Sequence, residues 1–193
     1  HIVSTEVQPR RGTIFDRNMQ ILAININVDS VFANSRVIKD KEAAARAVAK
    51  ALNLDEKSVL EKLSRDKGFI WIKRKITEDE AATIKKLNLQ GIDCREETNR
   101  FYPNGMLCSQ VVGFVDIDGK GLEGIELAFD NMLSSESGYR LLRRDALQRH
   151  LSTLEGKTQP PRHGDGIMLT IDAVIQTIVE DALRKAYETY LPI

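Results

Sequence analysis

The sequence predicts a mixed α+β protein, because three stretches of different character follow one another along the chain. Residues 7–33 read as extended structure, with apolar side chains interrupted by turn-forming residues at positions 16–18. Residues 35–97 alternate helical and extended patterns and form a compact α/β piece. Residues 99–163 place glycines between short apolar runs, which is typical of short strands and turns.

The elements of the first half follow from local patterns. Asparagine alternates with Ile and Val over 24–28, which puts the apolar side chains on one face of a strand. Asp55 is an expected helix N-cap, and Thr77 with Glu80 matches a capping box. The predicted elements are a strand over 24–28, helices over 40–53 and from 55 to near 68, a strand over 68–76, a helix over 77–87, and a turn and strand over 91–97.

The second half is predicted to hold strands and one short helix near 125–133. Pro160 and Pro161 break the chain, since consecutive prolines continue neither a helix nor a central strand. A short strand is expected over 167–171, and Asp172 stands at an N-cap position before a final amphipathic helix. The apolar face of that helix consists of Ile175, Ile178, Val179, Ala182, Leu183, Ala186 and Tyr190.

The composition excludes several classes of protein. The 193 residues carry 28 basic and 28 acidic side chains, so the formal net charge is zero, which argues against a strongly basic nucleic-acid binder. The longest uncharged run, residues 101–115, is interrupted by Pro103, so no membrane span is predicted. Because the first residue is His1, we expect a piece of a longer protein, whose missing N-terminus could have carried a signal or an anchor.

Several motifs suggest ligand chemistry that their surroundings do not support. Residues 119–124 fit GxGxxG, but Asp116, Asp118 and Glu123 would face a pyrophosphate, so a tight glycine turn is predicted. A calcium loop starting at Asp116 would place Lys120 at a ligand position. The two cysteines form no CxxC and could pair or stay free. We therefore expect no cofactor and no metal.

Two further sets of residues resemble functional motifs but are expected to be ordinary structure. Ser64 and Lys67 fit the SxxK motif of acyl-enzyme formation, but they fall at the charged end of a predicted helix and no SxN tripeptide occurs. A solvated helix end is therefore expected there. Phe69 and Trp71 alternate along a strand and are expected in the core, which argues against a nucleic-acid interface.

The remaining polar motifs resemble one family. They are Arg11–Asn18 with Leu22 and Ala23, Arg100–Gly105, Gln110–Phe114, Gly121–Glu126, and Leu169–Asp172 with Gln176 and Glu180. In this order they resemble the N-terminal half of class B penicillin-binding proteins, the monofunctional D,D-transpeptidases of bacterial cell-wall synthesis. Met19 stands where the family usually has Gly. The candidate structural and interaction residues are Arg11, Gly12, Asp16, Arg17, Asn18, Arg100, Tyr102, Pro103, Gly113, Gly121, Gly124 and Glu126.

The resemblance implies an architecture. Residues 1–163 would form the pedestal, also called the dimerisation domain, with a β-rich body and a small α/β head inserted at about 35–97. Residues 164–193 would be the first strand and helix of a truncated transpeptidase domain. The body needs links between distant segments, and we hypothesise a partly buried ion-pair network joining Arg11 or Arg17 to Glu126.

The resemblance also implies a function. The chain would be the non-catalytic pedestal of an anchored transpeptidase on the extracytoplasmic face of the cytoplasmic membrane, with a SEDS-type glycan polymerase as a main partner. Peptidoglycan stem peptides and β-lactams would bind only the missing catalytic domain. Two alternatives stay open. One is a stand-alone extracytoplasmic interaction module, and the other is an active fragment that uses Ser64 and Lys67.

Overall fold

The chain divides into two compact units. The computed structural model describes residues 2–7, 9–136, 138–144, 150–153 and 160–190. Residues 27–99 form one unit, called here the inserted unit, and residues 1–26 with 100–193 form the other, called the body unit. Helices and strands occur in both units, so the predicted α+β class is confirmed.

The secondary structure follows the predicted order closely. The strands are β1 (Ile2–Val7), β2 (Ile14–Phe15), β3 (Ile21–Ala33), β4 (Ile70–Ile76), β5 (Ile92–Phe101), β6 (Gly138–Arg144), β7 (His150–Thr153) and β8 (Ile167–Met168). The helices are α1 (Lys41–Leu52), α2 (Glu56–Ser64), α3 (Glu78–Leu87), α4 (Ser109–Val112), α5 (Gly124–Ala128), α6 (Asp130–Leu133) and α7 (Ala173–Tyr190). No helix among the described residues is long and apolar enough to cross a membrane.

In the inserted unit, three helices cover one face of a sheet. Strand β3 pairs with β4 and with β5, and its buried Val31 and Ala33 pack against α1, α2 and α3. The core is formed by Val31, Ala33, Ile38, Ala44, Ala45, Val48, Ala49, Leu52, Val59, Leu63, Ile72, Ile76, Ala81 and Ile84. The opposite face of this sheet carries no helix of the inserted unit.

The helix starts in the inserted unit are those that the sequence predicts. Asp40 accepts a hydrogen bond from the backbone N–H of Ala43, and Asp55 accepts one from Ser58. The Thr77–Glu80 capping box is complete, because each side chain bonds the other residue's backbone N–H. These local bonds satisfy the free N–H groups of the first helical turn.

In the body unit, a small core forms where distant segments meet. Ile14 of β2 pairs antiparallel with Ala23 of β3 and parallel with Ile167 of β8. Strand β6 lies between β1 and β7 in a separate three-stranded sheet. The buried members of this core are Ile14, Leu22, Ala23, Cys108, Val112, Leu133 and Ala173.

Three predictions need correction. The helix expected over 125–133 is two short helices, α5 and α6, separated by Phe129 with φ −114° and ψ 24°. The strand expected over 167–171 spans only Ile167–Met168. The expectation that Phe69 lies in the core is wrong, because its side chain is 41% exposed and lies on the helix-free face of the inserted sheet.

Candidate functional site: a buried ion cluster

The predicted ion pair is present, and Arg11 is the arginine that makes it. Its Nε donates to Glu126 Oε2 at 2.7 Å, and its Nη2 donates to the Glu126 backbone carbonyl at 2.7 Å. Both side chains are almost completely buried. Arg17, the other candidate, is exposed and contributes its backbone N–H to the carbonyl of Ile171.

A second arginine and a tyrosine meet the same carboxylate. Arg100 Nε donates to Glu126 Oε1 at 2.7 Å, and the Tyr102 hydroxyl lies 3.4 Å from the same oxygen. Burial, reinforced by the Glu126 charge, raises the pKa of Tyr102 to about 12. The hydroxyl therefore stays protonated and acts as a donor at neutral pH.

A second acid, Asp130, completes the cluster, and the sequence analysis did not identify it. Arg11 Nη1 donates to Asp130 Oδ1 at 2.7 Å. The cluster thus contains two guanidinium groups and two carboxylates, so its formal charge is balanced. The spacing from Glu126 to Asp130 is four residues, which is the spacing that places two side chains on one helix face, and this was the available signal.

The glycines of the motifs let backbone segments approach one another around the cluster. A Cβ at Gly121 would lie 2.1 Å from the backbone carbonyl of Glu126. Gly12 donates its N–H to Leu133 O at 2.9 Å, and its missing side chain leaves room for the Asp165 carbonyl. Gly113 and Gly124 lie next to each other where α4 meets α5. These contacts are tight enough that any side chain would displace the neighbouring backbone.

The Asp16 turn is the second place where motif residues come together. The buried carboxylate accepts hydrogen bonds from the backbone N–H groups of Asn18 at 2.7 Å and Gln20 at 2.8 Å. It also accepts from the N–H of Ala173 at 3.1 Å, at the start of α7. Asn18 Nδ2 donates to Asp172 Oδ2 at 2.9 Å, and Asp172 caps α7 through Ile175.

The turn keeps its shape without the usual glycine. Met19 has φ 64°, in the left-handed region that favours glycine, and its side chain is 60% exposed. The departure from the family pattern therefore leaves the turn in place at a cost in backbone strain. Pro103, the remaining candidate, is exposed in the turn after β5, away from the buried cluster.

The motifs that suggested other chemistry have structural explanations. Ser64 is exposed at the last residue of α2, and its hydroxyl donates to the Leu60 carbonyl. Asp116 accepts hydrogen bonds from the backbone N–H groups of Asp118 and Lys120, which closes the glycine turn on itself. Within the described residues, no group of three or more metal-ligating side chains occurs.

The two cysteines are free thiols. Cys94 lies in the inserted unit, and Cys108 is buried in the body unit. Burial is the main cause that raises the pKa of each thiol. The backbone N–H of Cys108 donates to Glu180 Oε1 at 3.0 Å, so a side chain from the middle of α7 ties this helix to the rest of the body unit.

Comparisons with known proteins identify the class. The fold and the polar motifs are those of penicillin-binding proteins, because the family model described as Penicillin-binding Protein dimerisation domain matches residues 6–169. The chain belongs to this dimerisation-domain family.

Relatives and solved structures agree with that assignment. The probable peptidoglycan D,D-transpeptidase PenA of Neisseria meningitidis is 35% identical, with 97% of this chain matching 33% of its length. The peptidoglycan D,D-transpeptidase FtsI of Escherichia coli is 32% identical over 94% of this chain and 32% of its own. The chain therefore spans about a third of the length of these relatives.

A solved complex between penicillin-binding protein PBP2 and MreC from Helicobacter pylori is similar in fold. It matches with a TM-score of 0.75 and 25% identity, covering 98% of this chain and 39% of that chain. The twelve candidate residues thus lie in a dimerisation domain, where eight of them join the buried cluster or surround it: Arg11, Gly12, Arg100, Tyr102, Gly113, Gly121, Gly124 and Glu126. Their roles in the function stay predictions.

Proposed function

We propose that the chain is the pedestal region of a peptidoglycan D,D-transpeptidase, and that it positions the catalytic domain of the longer protein. The family membership and the transpeptidase relatives support this proposal. The pedestal would span residues 1–163, with the head at about 35–97, and the transpeptidase domain would begin at about residue 164. The protein would stand on the extracytoplasmic face of the membrane, held by an N-terminal anchor.

The observation that carries the proposal is the link between the Asp16 turn and α7. Asp16 accepts a hydrogen bond from the N–H of Ala173, the first residue of α7, and Asn18 donates one to Asp172, the residue just before the helix. Strand β8, just before it, pairs in parallel with β2. A helix fixed at its N-terminus by hydrogen bonds, one of them buried, has a defined direction, and a domain that begins with this helix inherits that direction.

The outer face of α7 is apolar and exposed. Ile178 and Leu183 are each 64% exposed, and Tyr187 is 61% exposed. In our proposal the rest of the transpeptidase domain covers this face. The acyl-enzyme serine would lie in that domain, where it would attack the D-Ala-D-Ala peptide bond, expel the terminal D-Ala to form an ester, and pass the acyl group to an amine of a neighbouring strand.

Labelling with a fluorescent penicillin tests where the chemistry resides. After incubation with the penicillin, intact-mass measurement should show no covalent adduct on this chain. The longer parent protein should carry a single adduct. An adduct on the chain that disappears in Ser64→Ala would overturn the proposal in favour of an active fragment. The parent carrying Asp16→Asn should still be acylated in solution but should fail to support growth.

Partner binding is the second part of the proposal. The PBP2–MreC complex shows that a protein of this fold associates with another cell-wall protein. We propose that this pedestal likewise contacts an MreC-like protein or a SEDS-type polymerase. Deleting residues 35–97 from the parent should abolish co-purification of the partner, and unchanged binding would count against the head as its site.

A stand-alone interaction module is the alternative function. The gene downstream of residue 193 decides between the two. In-frame SxxK, SxN and KTG motifs would support the pedestal, whereas a stop codon there would leave a binding module with no acyl transfer.

A further inference from the structure

We propose that a cavity at the end of helix α3 binds a primary ammonium group carried on an aliphatic stem, as in a lysine side chain or a free diamine. The cavity, called here the α3 cavity, has a volume of about 450 Å³ and lies entirely within the inserted unit. Its walls come from the end of β3, the last turn of α3 with the residues that follow it, and the start of β5. The proposal goes beyond the pedestal role, which assigns no ligand to this unit.

The segments that form the α3 cavity are fixed to one another. The N–H of Asn34 donates to the Gly91 carbonyl at 2.7 Å, and the N–H of Ile92 donates to the Leu89 carbonyl at 3.1 Å. Gly91 has φ 85°, and a Cβ there would lie 2.7 Å from Val37 Cγ2. The volume falls within the range of roughly 300–1,000 Å³ that is typical of small-ligand sites. The cavity is therefore preformed and has room for a capped amino acid.

Part of the wall is apolar. Val37, Ile84 and Leu89 contribute aliphatic side chains, and Phe32 contributes a ring. Ile84 is buried in the core of the unit and Leu89 packs against that core, so this part of the wall is held in place. A chain of methylene groups is removed from water against such a wall, whereas a small inorganic cation gains nothing from it.

The charged side chains of the lining favour a cation. Of the described residues, Lys85 and Asp93 are the two charged ones that line the cavity. Lys85 is already paired, because its Nζ lies 2.6 Å from Asp29 Oδ2. Asp93 makes no ion pair within the described part of the chain, and its Oδ1 accepts the N–H of Cys94 at 2.7 Å. These three charged groups therefore sum to one negative charge.

The other basic residues of this region do not line the cavity. Arg36 pairs with Asp66 at 3.1 Å, and the Arg95 guanidinium lies over the Phe69 ring at 6.0 Å. The pKa of Lys85 is raised, first by the hydrogen bond and charge of Asp29 and to a smaller extent by Asp93. An anionic ligand would have to displace Asp29 from Lys85 and lie beside Asp93, so the cavity disfavours it.

The end of α3 adds a second source of negative potential. Asn88 is the left-handed C-cap of α3 and lines the cavity, which therefore lies beside the carbonyl groups of the last turn. The C-terminal end of a helix carries the negative end of its dipole and stabilises nearby cations. The side-chain oxygens of Asn34 and Asn88 are also acceptors. A bound ammonium group would thus have acceptors in Asp93, Asn34 and Asn88 for its three N–H groups.

Backbone-amide NMR of the isotope-labelled chain tests the proposal. Titration with Nα-acetyl-lysine methylamide should produce saturable shifts of the Asn88, Gly91 and Asp93 signals. Nα-acetyl-norleucine methylamide has the same stem without the ammonium group and should bind at least about tenfold more weakly. The proposal is overturned by a titration with no saturable shift at the cavity, or by equal binding of the two compounds.

Two charge-removing variants locate the site. Asp93→Asn changes an exposed side chain and should weaken binding of the lysine compound at least about fivefold, with binding of the norleucine compound unchanged. Glu96→Gln is the matched control, since it removes the same charge from an exposed residue of β5 outside the cavity lining. It should leave both affinities unchanged. Equal weakening by the two variants would refute the site, because the ligand would then follow the charge of the whole unit.

Two further ligands identify the source of the ammonium group. If cadaverine binds more weakly than the lysine compound, the cavity is a site for a lysine side chain of a peptide; if it binds equally or more tightly, the cavity is a site for a free diamine. Tighter binding of Nα-acetyl-glutamate methylamide than of the lysine compound would overturn the proposal, because Lys85 would then dominate. The penicillin labelling of the parent protein does not depend on these results, so failure here leaves the pedestal proposal standing.

Discussion

Replacing Glu126 with Gln should be the most destabilising conservative change in the body unit. The fully buried carboxylate accepts one charge-assisted hydrogen bond from Arg11 and one from Arg100, each 2.7 Å long. Gln keeps the volume of the side chain but removes the negative charge. The cluster would then hold two guanidinium groups against Asp130 alone.

The size of the destabilisation follows from the hydrogen bonds that each arginine retains in Glu126→Gln. Arg11 retains Asp130 at 2.7 Å and the Gly119 carbonyl at 3.2 Å. Among the described residues, Arg100 retains Asn25 at 3.1 Å and the Tyr102 hydroxyl, neither of which is charged, and its buried Nη2 already has no hydrogen-bond partner. Arg100 is therefore the charge that is left stranded. Removing one partner of a buried pair costs about 3–5 kcal/mol, because the other stays buried without compensation.

Thermal unfolding of the chain followed by circular dichroism measures this loss. At about 2–4 °C per kcal/mol for a protein of this size, the melting temperature should fall by about 6–20 °C. The matched control is Glu61→Gln, whose partner Arg65 lies 2.9 Å away on the surface, with a loss below about 1 kcal/mol expected. Adding Arg100→Met to Glu126→Gln should recover part of the stability. Equal small losses for Glu126→Gln and the control would refute the reasoning.

Three further changes test the turn, the packing and the titration. Met19→Gly should raise the free energy of unfolding by about 0.5–1 kcal/mol in urea titrations, because Met19 has φ 64° and glycine removes the left-handed strain; a loss would contradict this. Gly12→Ala should cost about 3 kcal/mol or more, since its Cβ would lie 1.8 Å from a backbone oxygen, whereas Gly105→Ala meets nothing within 4 Å and should cost about 1 kcal/mol by the same titration. Burial acts to raise the pKa of Asp16, but the backbone hydrogen bonds outweigh it and the pKa is lowered, so its stabilisation is present above about pH 4 and is lost as the pH falls further. Asp16→Asn should therefore flatten the acid limb of the melting temperature against pH, and an unchanged limb would contradict the assignment.

Local patterns were sufficient for the elements of the inserted unit. The N-caps Asp40 and Asp55 and the Thr77 capping box lie within three residues of the groups they bond, so a short window of sequence contains the whole interaction. The left-handed C-cap at Asn53 is likewise local. The break at Phe129 is different, because α5 and α6 each direct one acid to Arg11, more than a hundred residues earlier in the chain. No short stretch of sequence around Phe129 contains Arg11, so the local sequence does not predict the break between α5 and α6.

The candidate site was predicted only in part, because its residues also come from distant segments of the chain. The resemblance supplied Arg11, Arg100 and Glu126, and the need for links between distant segments predicted that Arg11 or Arg17 pairs with Glu126. The contact between Arg100 and Glu126 was not predicted. The only sequence signal for Asp130 was its spacing of four residues from Glu126, and Asp130 was not predicted. The exposure of Phe69 could not be predicted from the strand pattern over 68–76 alone, because alternation identifies two faces of a strand but not which of them a helix covers.

We expect the polar motifs of this chain to act on folding first. Arg11 with Glu126 and Asp16 with Ala173 join residues 115 and 157 positions apart, and these contacts hold distant segments of the body unit together. A substitution among them should therefore reduce the amount of folded protein and leave the chemistry of each folded molecule unchanged. In cells, the parent carrying Glu126→Gln should show lower abundance with a normal penicillin acylation rate per folded molecule. Normal abundance with slow acylation would mean that the cluster acts on the catalytic domain directly, and the motifs would then need a functional explanation in place of a structural one.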